Sequence, residues 1–270
     1  MKAIITEIED YLDGAFEKKL FLASVNYLSN KSDPLRANSF CYSLRELFRH
    51  VFDRMAPNVN ILKCSWFKVE TTTGSPSRRQ KYIYTVQGGL TPKFVEEELG
   101  INVLDSWKQI KDSIDTLSKY THVGHKTFDI KDADVDRIAM EALVSLLTIF
   151  HITSDARNEL HRSLEGHLNR ELMNTFFMNS MSDIDVLSQG SYVEQCNIDN
   201  YAISDIDDHQ LVFEGDGTVD VSLNYGKGDD ACDINENFPF TFEGHSLVSE
   251  PFNVTIEAND VSIDTRSWYE

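Results

Sequence analysis

The chain has 270 residues, of which 41% are hydrophobic, and carries a formal net charge of −19. This length and hydrophobic content suffice for one large core or two smaller ones, and exclude a collagen-like, low-complexity or disulfide-dense protein. No stretch approaches the roughly 18 consecutive apolar residues of a membrane-spanning helix, so we expect no membrane partner. The N-terminus is acidic where a secretion signal would be apolar, and the four cysteines are scattered. Both features predict a cytoplasmic protein.

The negative charge is concentrated in the C-terminal part of the chain. Residues 191–270 contain 18 acidic and two basic residues, whereas residues 1–190 contain 26 acidic and 23 basic residues. This difference indicates two units with different partners. Because the acidic part repels the phosphates of nucleic acid, we expect any nucleic-acid contact in the first part.

Apolar residues in the first part recur at steps of three and four, which predicts amphipathic helices. The predicted helices cover 2–29, 35–55, 91–100, 104–120, 132–152 and 154–179, the last two being continuous. Beyond about residue 180 apolar and polar residues alternate, which predicts antiparallel strands with tight turns. The predicted fold class is α+β, with an all-helical domain over 1–182 followed by a small acidic antiparallel β-sandwich over 183–270.

The helix predicted at 35–55 carries an arginine and a histidine separated by four residues, Arg45 and His50. Such a pair can activate a ribose 2′-hydroxyl and stabilise a charged phosphorane without a metal. A second pair at this spacing, Arg162 and His167, lies further along the chain, so the spacing alone has low specificity.

An alternative interpretation of the same helix is structural. Residues four apart on a helix form ordinary surface pairs. The pairs with this spacing are Arg49 with Asp53, and Glu46 with His50.

Two further segments combine basic residues with groups that suit nucleic acid. His122 lies in a connection between two predicted helices, where a loop can present it to a phosphate or as a general acid. The other basic residues of this connection are Lys119, His125 and Lys126. The alternative is a solvated turn with ordinary histidines.

The second segment is the basic string Arg78-Arg79-Gln80-Lys81, the densest basic cluster of the chain, with aromatic residues around it. This mixture suits single-stranded RNA or DNA, because bases stack on aromatic rings and phosphates pair with cations. The alternative is an exposed β-turn with a basic edge.

We expect neither a cofactor nor a metal. His122 and His125 have no clear third ligand nearby in the sequence. Acidic loops of the C-terminal domain could hold Ca²⁺, but their spacing is not that of an EF-hand and is more typical of solubilising hairpin turns. The residues concerned are Glu214, Asp216, Asp220, Asp229, Asp230, Asp233 and Glu236.

Several segments together resemble a known family, the predicted nucleases encoded beside prokaryotic PIWI proteins. The matching features are Arg36-x-x-Ser-Phe-x-Tyr-Ser-Leu-Arg-Glu-Leu-x-Arg-x-Val, Ala56-Pro57-Asn58, Cys64-x-Trp66, Arg78-Arg79-Gln80 and Lys119-Tyr-Thr-His122. The helical part is also similar to the HEPN-type domains of bacterial defence systems. Segments 221–226 and 237–240 resemble an acidic β-domain at the C-terminus of such proteins.

The resemblance implies anti-phage biology with nucleic acid as the substrate. Its candidate residues are Arg45, Glu46, Arg78, Arg79 and His122. The first hypothesis is a metal-independent endoribonuclease, dimeric, in which Arg45 stabilises the transition state and His50 or His122 acts as acid or base. RNA is then held by Arg78, Arg79, Lys81, Lys119, His125 and Lys126.

Two alternatives stay open at this point. A non-catalytic adaptor of a defence operon would oligomerise through its helical domain and bind a basic protein partner through its acidic domain. A nuclease that uses carboxylates and a metal would lose its activity in EDTA.

Overall fold

The structure is a computed structural model that describes residues 1–188, 190–226 and 230–269. Its α-helices are α1 (Lys2–Tyr11), α2 (Gly14–Ser29), α3 (Arg36–Met55), α4 (Asn58–Ile61), α5 (Arg78–Gln87), α6 (Pro92–Glu97), α7 (Trp107–Tyr120), α8 (Asp132–Met178) and α9 (Ser182–Asp185). Its strands are β1 (Gly190–Ile206), β2 (Gln210–Tyr225), β3 (Cys232–Leu247) and β4 (Val261–Ile263). Short 3₁₀ turns span Ala258–Asp260 and Arg266–Tyr269. Helices followed by an antiparallel sheet confirm the mixed helix and strand composition.

The chain forms two compact units. The first contains Met1–Gly88 and Pro92–Ala156, and the second contains Gly89–Thr91 and Arg157–Glu270. The division therefore falls within α8, earlier than the boundary at residue 182 that the change from helix to strand predicts. The reason is that the C-terminal half of α8 packs against the sheet.

Two contacts in the second unit show this packing. The rings of Phe176 on α8 and Phe240 on β3 meet edge-on with centroids 5.3 Å apart. The hydroxyl of Thr175 donates a hydrogen bond to the carbonyl of Ile256 at 2.8 Å. Burying the apolar face of the sheet needs an apolar helix face, and α8 supplies it.

The centre of the first unit is α3, whose predicted extent is confirmed within one residue. Its apolar stripe is buried and packs among α2, α5 and α7. The buried residues at the middle of this stripe are Leu44, Leu47, Phe48 and Val51. The opposite face of α3 is charged, and its position between α5 and α7 decides which side chains meet it.

The single helix predicted over 2–29 is wrong, because the chain breaks between α1 and α2. Leu12 has an extended backbone and is buried, and Asp13 is also extended. Gly14 has a φ of 74°, a left-handed conformation that glycine adopts without steric cost. The break turns the apolar Leu12 side chain into the core.

The basic string at 78–81 begins helix α5, so the alternative of an exposed β-turn is wrong. Ser77 caps this helix, because its hydroxyl accepts a hydrogen bond from the Gln80 N–H at 3.2 Å. The Gln80 side chain in turn accepts one from the Ser77 N–H at 2.9 Å. This reciprocal arrangement is a capping box, and the spacing Ser-x-x-Gln was visible in the sequence.

The second unit contains one four-stranded sheet of order β1-β2-β3-β4, and each described pair of strands is antiparallel. A sandwich has two sheets, whereas the described residues provide one sheet with α8 on its apolar face. Gly217 on β2 leaves space for the Phe240 ring, because a Cβ atom at position 217 would lie 2.7 Å from Phe240 Cζ. Gly215 likewise leaves space for the Phe242 ring, because a Cβ atom at position 215 would lie 2.6 Å from Phe242 Cε1.

In the described residues no cysteine forms a disulfide. Cys41, Cys64 and Cys196 are buried, and Cys232 is exposed. Burial raises the pKa of Cys41 to about 12 and that of Cys196 to about 11. None of the helices in the described ranges combines the length and hydropathy needed to cross a bilayer.

Candidate functional site

A chain of alternating charges runs along the exposed face of α3. Arg45, Arg49 and Asp53 follow one another at steps of four residues, and Glu46 lies three residues before Arg49, so all four are near this face. Glu46 accepts hydrogen bonds from Arg45 Nη2 at 3.0 Å and from Arg49 Nε at 2.9 Å. Arg49 Nη1 donates to Asp53 Oδ2 at 3.1 Å. The carboxylates thus hold the guanidinium groups in fixed positions.

Helix α5 adds two cations to this row. Lys81 Nζ pairs with Asp53 across the contact between α5 and α3. Arg78, in the first turn of α5, lies 3.9 Å from Asp115 Oδ1 of α7. Arg78 and Lys81, together with the charged residues of α3, surround a cavity of about 200 Å³. We call it the cationic cavity; its charged lining residues are Arg45, Glu46, Arg49, Asp53, Arg78 and Lys81.

The cationic cavity favours an anion. Four cations face two carboxylates, and the remaining lining is mostly apolar: Phe48, Phe52, Pro76 and Ile114. An apolar wall lowers the local dielectric and strengthens the attraction between the cations and a bound anion. With a water occupying about 30 Å³, the cavity has room for a phosphate group.

Glu46 is held as a carboxylate. Hydrogen bonds from Arg49 and then Arg45 lower its pKa below the ordinary value of 4.5. The same contact with Glu46 raises the pKa of Arg49. A carboxylate of lowered pKa is a weak base near neutral pH. Glu46 is therefore suited to positioning two arginines rather than to taking a proton.

His50 lies just outside the cationic cavity, one hydrogen bond from its wall. Arg49 Nη2 is 3.0 Å from His50 Nε2. Since a guanidinium can only donate, Nε2 is the acceptor in this contact. The ring of Phe16 packs edge-on against the imidazole, with centroids 4.8 Å apart. Of the two surface pairs predicted as an alternative, the structure contains Arg49 with Asp53.

The connection with His122 lies at a distance from the cationic cavity. The Asn38 side-chain amide donates to the Tyr120 carbonyl at 2.8 Å, so this connection starts beside the first turn of α3. Arg45 is seven residues further along α3, which is about 10 Å at 1.5 Å per residue. The exposed basic residues there are His122, His125 and Lys126, with Lys119 at the end of α7 close by.

The structure thus brings four predicted site residues to one cavity, with His50 one hydrogen bond away, and places the connection with His122 elsewhere. Those at the cationic cavity are Arg45, Glu46, Arg78 and Lys81. Arg79 points elsewhere, because its Nη1 donates to Glu70 Oε1 at 2.7 Å. Arg49 was assigned to a surface pair in the sequence, although its position one turn beyond Arg45 was a signal that it shares the site.

The second arginine–histidine pair has structural partners. Arg162 is exposed and pairs with Glu159 at 2.8 Å. The His167 ring stacks on Phe252 with centroids 4.6 Å apart. The two residues thus make separate local contacts, and a pair at this spacing does not by itself indicate a site.

The acidic residues considered for Ca²⁺ lie mainly on strands rather than in loops. Glu214, Asp216 and Asp220 belong to β2, and Asp233 and Glu236 belong to β3. Asp229 lies outside the described residues. Within the described ranges, no group of three or more histidine, cysteine or acidic residues could hold a metal ion.

Comparison with known proteins agrees with this division of the chain. Two family models match, at residues 9–146 and 153–269, and each is described as a predicted pPIWI-associating nuclease. The two matched ranges correspond closely to the two compact units. No curated protein and no solved structure matches the chain. Since the first model alone covers half of the sequence, the chain belongs to the family of predicted pPIWI-associating nucleases.

Proposed function

We propose that this chain is a metal-independent endoribonuclease of an anti-phage defence system, and that the cationic cavity holds the scissile phosphate. The observation that carries the proposal is the convergence of three arginines and a lysine from α3 and α5 on one cavity. Negative charge increases on the phosphate in the transition state, and fixed cations stabilise that charge. Family membership supports the nuclease part of this proposal.

The proposed reaction uses the 2′-hydroxyl of RNA as the nucleophile. This oxygen attacks the adjacent phosphorus while the bond from phosphorus to the 5′ oxygen breaks. His50 Nε2 accepts the 2′-hydroxyl proton once the 2′-hydroxyl has replaced Arg49 Nη2 as its hydrogen-bond partner, and the 5′ oxygen takes up a proton from water. The products are a 2′,3′-cyclic phosphate and a 5′-hydroxyl. Arg45, held by Glu46 at 3.0 Å, stabilises the phosphorane.

The remaining predicted residues fit a path for the RNA strand along α3. Lys119, His122, His125 and Lys126 lie near the first turn of α3 and would contact phosphates beyond the cationic cavity. His122 in this proposal binds RNA and does not act as acid or base. A homodimer would place two such paths about a two-fold axis. We also propose a HEPN-like plan for the helices and a cytoplasmic location.

The test compares two arginine variants that carry the same change of charge. Wild-type protein, Arg45→Ala and Arg162→Ala are incubated with RNA in EDTA, and product ends are identified. We expect Arg45→Ala to lose 100-fold or more in rate, the scale of about 10²–10³ for losing one transition-state donor, while Arg162→Ala keeps its activity. Equal loss in both variants, or cleavage that requires Mg²⁺, would contradict the proposal.

A second candidate function concerns the acidic unit. Glu214 on β2 lies directly opposite Glu243 on β3, and both line a groove of about 700 Å³ on the exposed face of the sheet. Like charges in opposite positions destabilise a sheet. A basic protein partner from the same operon would relieve this repulsion. In this alternative the chain is a non-catalytic adaptor.

A direct measurement separates the two candidates. If the adaptor function holds, Glu214→Gln together with Glu243→Gln weakens co-purification of a basic partner from native lysate, and RNA cleavage is absent from all preparations. Cleavage that depends on Arg45 excludes a purely non-catalytic adaptor.

A further inference from the structure

We propose that a second cavity beside the cationic cavity binds the nucleobase next to the scissile phosphate, with Trp107 as its stacking surface. We call it the base cavity; it has a volume of about 580 Å³, and Trp107, Arg79 and Lys111 are part of its lining. The inference rests on the proposed function, because it assigns the neighbouring subsite of the same substrate. The ligand class is a single-stranded nucleotide whose base is unstacked.

The two cavities are adjacent. Pro76, Arg78 and Ile114 line both of them, so Arg78 stands on the wall that separates them. A phosphate and the base of the same or the next nucleotide are joined by a single sugar. A nucleotide whose phosphate lies in the cationic cavity therefore reaches the base cavity past Arg78.

Trp107 is prepared for stacking. Its indole stacks on the Tyr82 ring with centroids 5.5 Å apart and an interplanar angle of 24°. Tyr82 is fully buried, and its hydroxyl donates to the Val103 carbonyl at 2.8 Å. One side of the indole thus rests on a fixed ring, and the half-buried indole lines the base cavity. Because the indole is already held in place, little conformational entropy is lost when a nucleobase stacks on it.

The charges of the base cavity favour a base over a second phosphate. Its three lining cations, Arg78, Arg79 and Lys111, are accompanied by two carboxylates. Arg79 pairs with Glu70 at 2.7 Å, and Lys111 pairs with Asp115 at 2.6 Å. Both carboxylates also line the base cavity and would repel a phosphate. The base cavity thus has an excess of one positive charge against two in the cationic cavity, and its volume is larger.

The experiment measures the affinity for an RNA oligonucleotide made uncleavable by 2′-O-methyl groups. The oligonucleotide is compared with versions that lack the base at one position in turn. For wild-type protein we expect one position at which removal of the base weakens binding about 5- to 150-fold, the range of stacking on one aromatic side chain. Trp107→Leu should bind the intact oligonucleotide with that same weakened affinity and respond little to base removal, while Trp107→Phe keeps most of the affinity.

A spectroscopic measurement addresses the same contact without removing the indole. With Trp66→Phe and Trp268→Phe combined, Trp107 is the remaining tryptophan of the sequence. We expect the intact oligonucleotide to quench its emission, and the oligonucleotide without the critical base to quench it far less. This measurement decides the question even if Trp107→Leu does not fold.

The outcomes separate the two proposals. If Arg78→Ala weakens binding but the effect of base removal is the same in wild type and Trp107→Leu, the base cavity is refuted and the cationic cavity stands. If Trp107 emission is unchanged by an oligonucleotide that binds, the base cavity is likewise refuted. If no binding depends on Arg78, both assignments fail.

Discussion

Glu46 accepts a hydrogen bond from Arg49 at 2.9 Å, and this contact lowers the pKa of the carboxyl while it raises the pKa of the guanidinium. The other carboxylate oxygen of Glu46 is occupied by Arg45 at 3.0 Å. One carboxylate therefore orients two guanidinium groups on the same cavity wall. Such orientation reduces the cost of arranging cations around a phosphate during the reaction.

The pairing of Glu46 predicts a dependence of stability on pH. Its pKa in the folded protein lies below the ordinary value of 4.5, so the paired carboxylate stabilises the fold above that pH and loses this effect as pH falls through the folded pKa. At pH 7 we expect Glu46→Gln to be less stable than wild type by about 0.5–1 kcal/mol, the scale of a solvent-accessible ion pair. Thermal unfolding across acidic and neutral pH measures the difference, which should shrink in acid; a constant difference would argue against the pairing.

Arg78 and Arg79 are neighbours that differ in their surroundings, which makes them a matched pair. Arg78 lines the cationic cavity, whereas Arg79 is turned to Glu70. We expect Arg78→Ala to reduce the slope of log affinity against log salt concentration by about 0.7, as for the loss of one phosphate contact on a single strand. Arg79→Ala should change the slope less. Titrations of an uncleavable oligonucleotide at several salt concentrations test this, and a larger change for Arg79 would invalidate the assignment.

Two glycines of the second unit should respond to alanine in opposite ways. A Cβ atom on Gly217 would lie 2.1 Å from the Asn197 carbonyl oxygen and 2.7 Å from Phe240 Cζ, so Gly217→Ala should destabilise this unit by about 3 kcal/mol or more. Gly166 lies in α8, where a Cβ atom would meet nothing within 4 Å. Gly166→Ala should therefore stabilise by about 0.5–1 kcal/mol. Denaturant unfolding of both variants provides the comparison, and similar effects of the two would show that neither close approach at Gly217 requires glycine.

Cysteine reactivity should distinguish one thiol from the rest. Cys232 is exposed, while burial raises the pKa of Cys41 and of Cys196 and keeps them as thiols. A thiol reagent applied to the native protein should modify Cys232 quickly and the buried cysteines only on unfolding. Cys232→Ser should then remove the fast phase, and a fast phase that survives this change would place another thiol at the surface.

Local rules in the sequence account for much of the first unit. The helical repeat predicts α3, and the same repeat aligns Arg45, Glu46 and Arg49 on its charged face. The capping box at Ser77 is equally readable in the spacing Ser-x-x-Gln, and it favours a helix over the alternative of a β-turn. The break at Gly14 was hidden because the apolar repeat continues on both sides of it. The helical repeat and the capping box are readable because each depends only on residues a few positions apart.

The sequence by itself determined the kinds of element, the charged face of α3 and the separation of an acidic C-terminal part, because helical periodicity and composition are local properties. Only the tertiary structure decided that α5 brings Arg78 and Lys81 to that face, that Trp107 of α7 adjoins it, and that the connection with His122 lies elsewhere. These relations join residues tens of positions apart along the chain. They follow from which apolar surfaces pack together, and the spacing of residues along the sequence does not predict that packing.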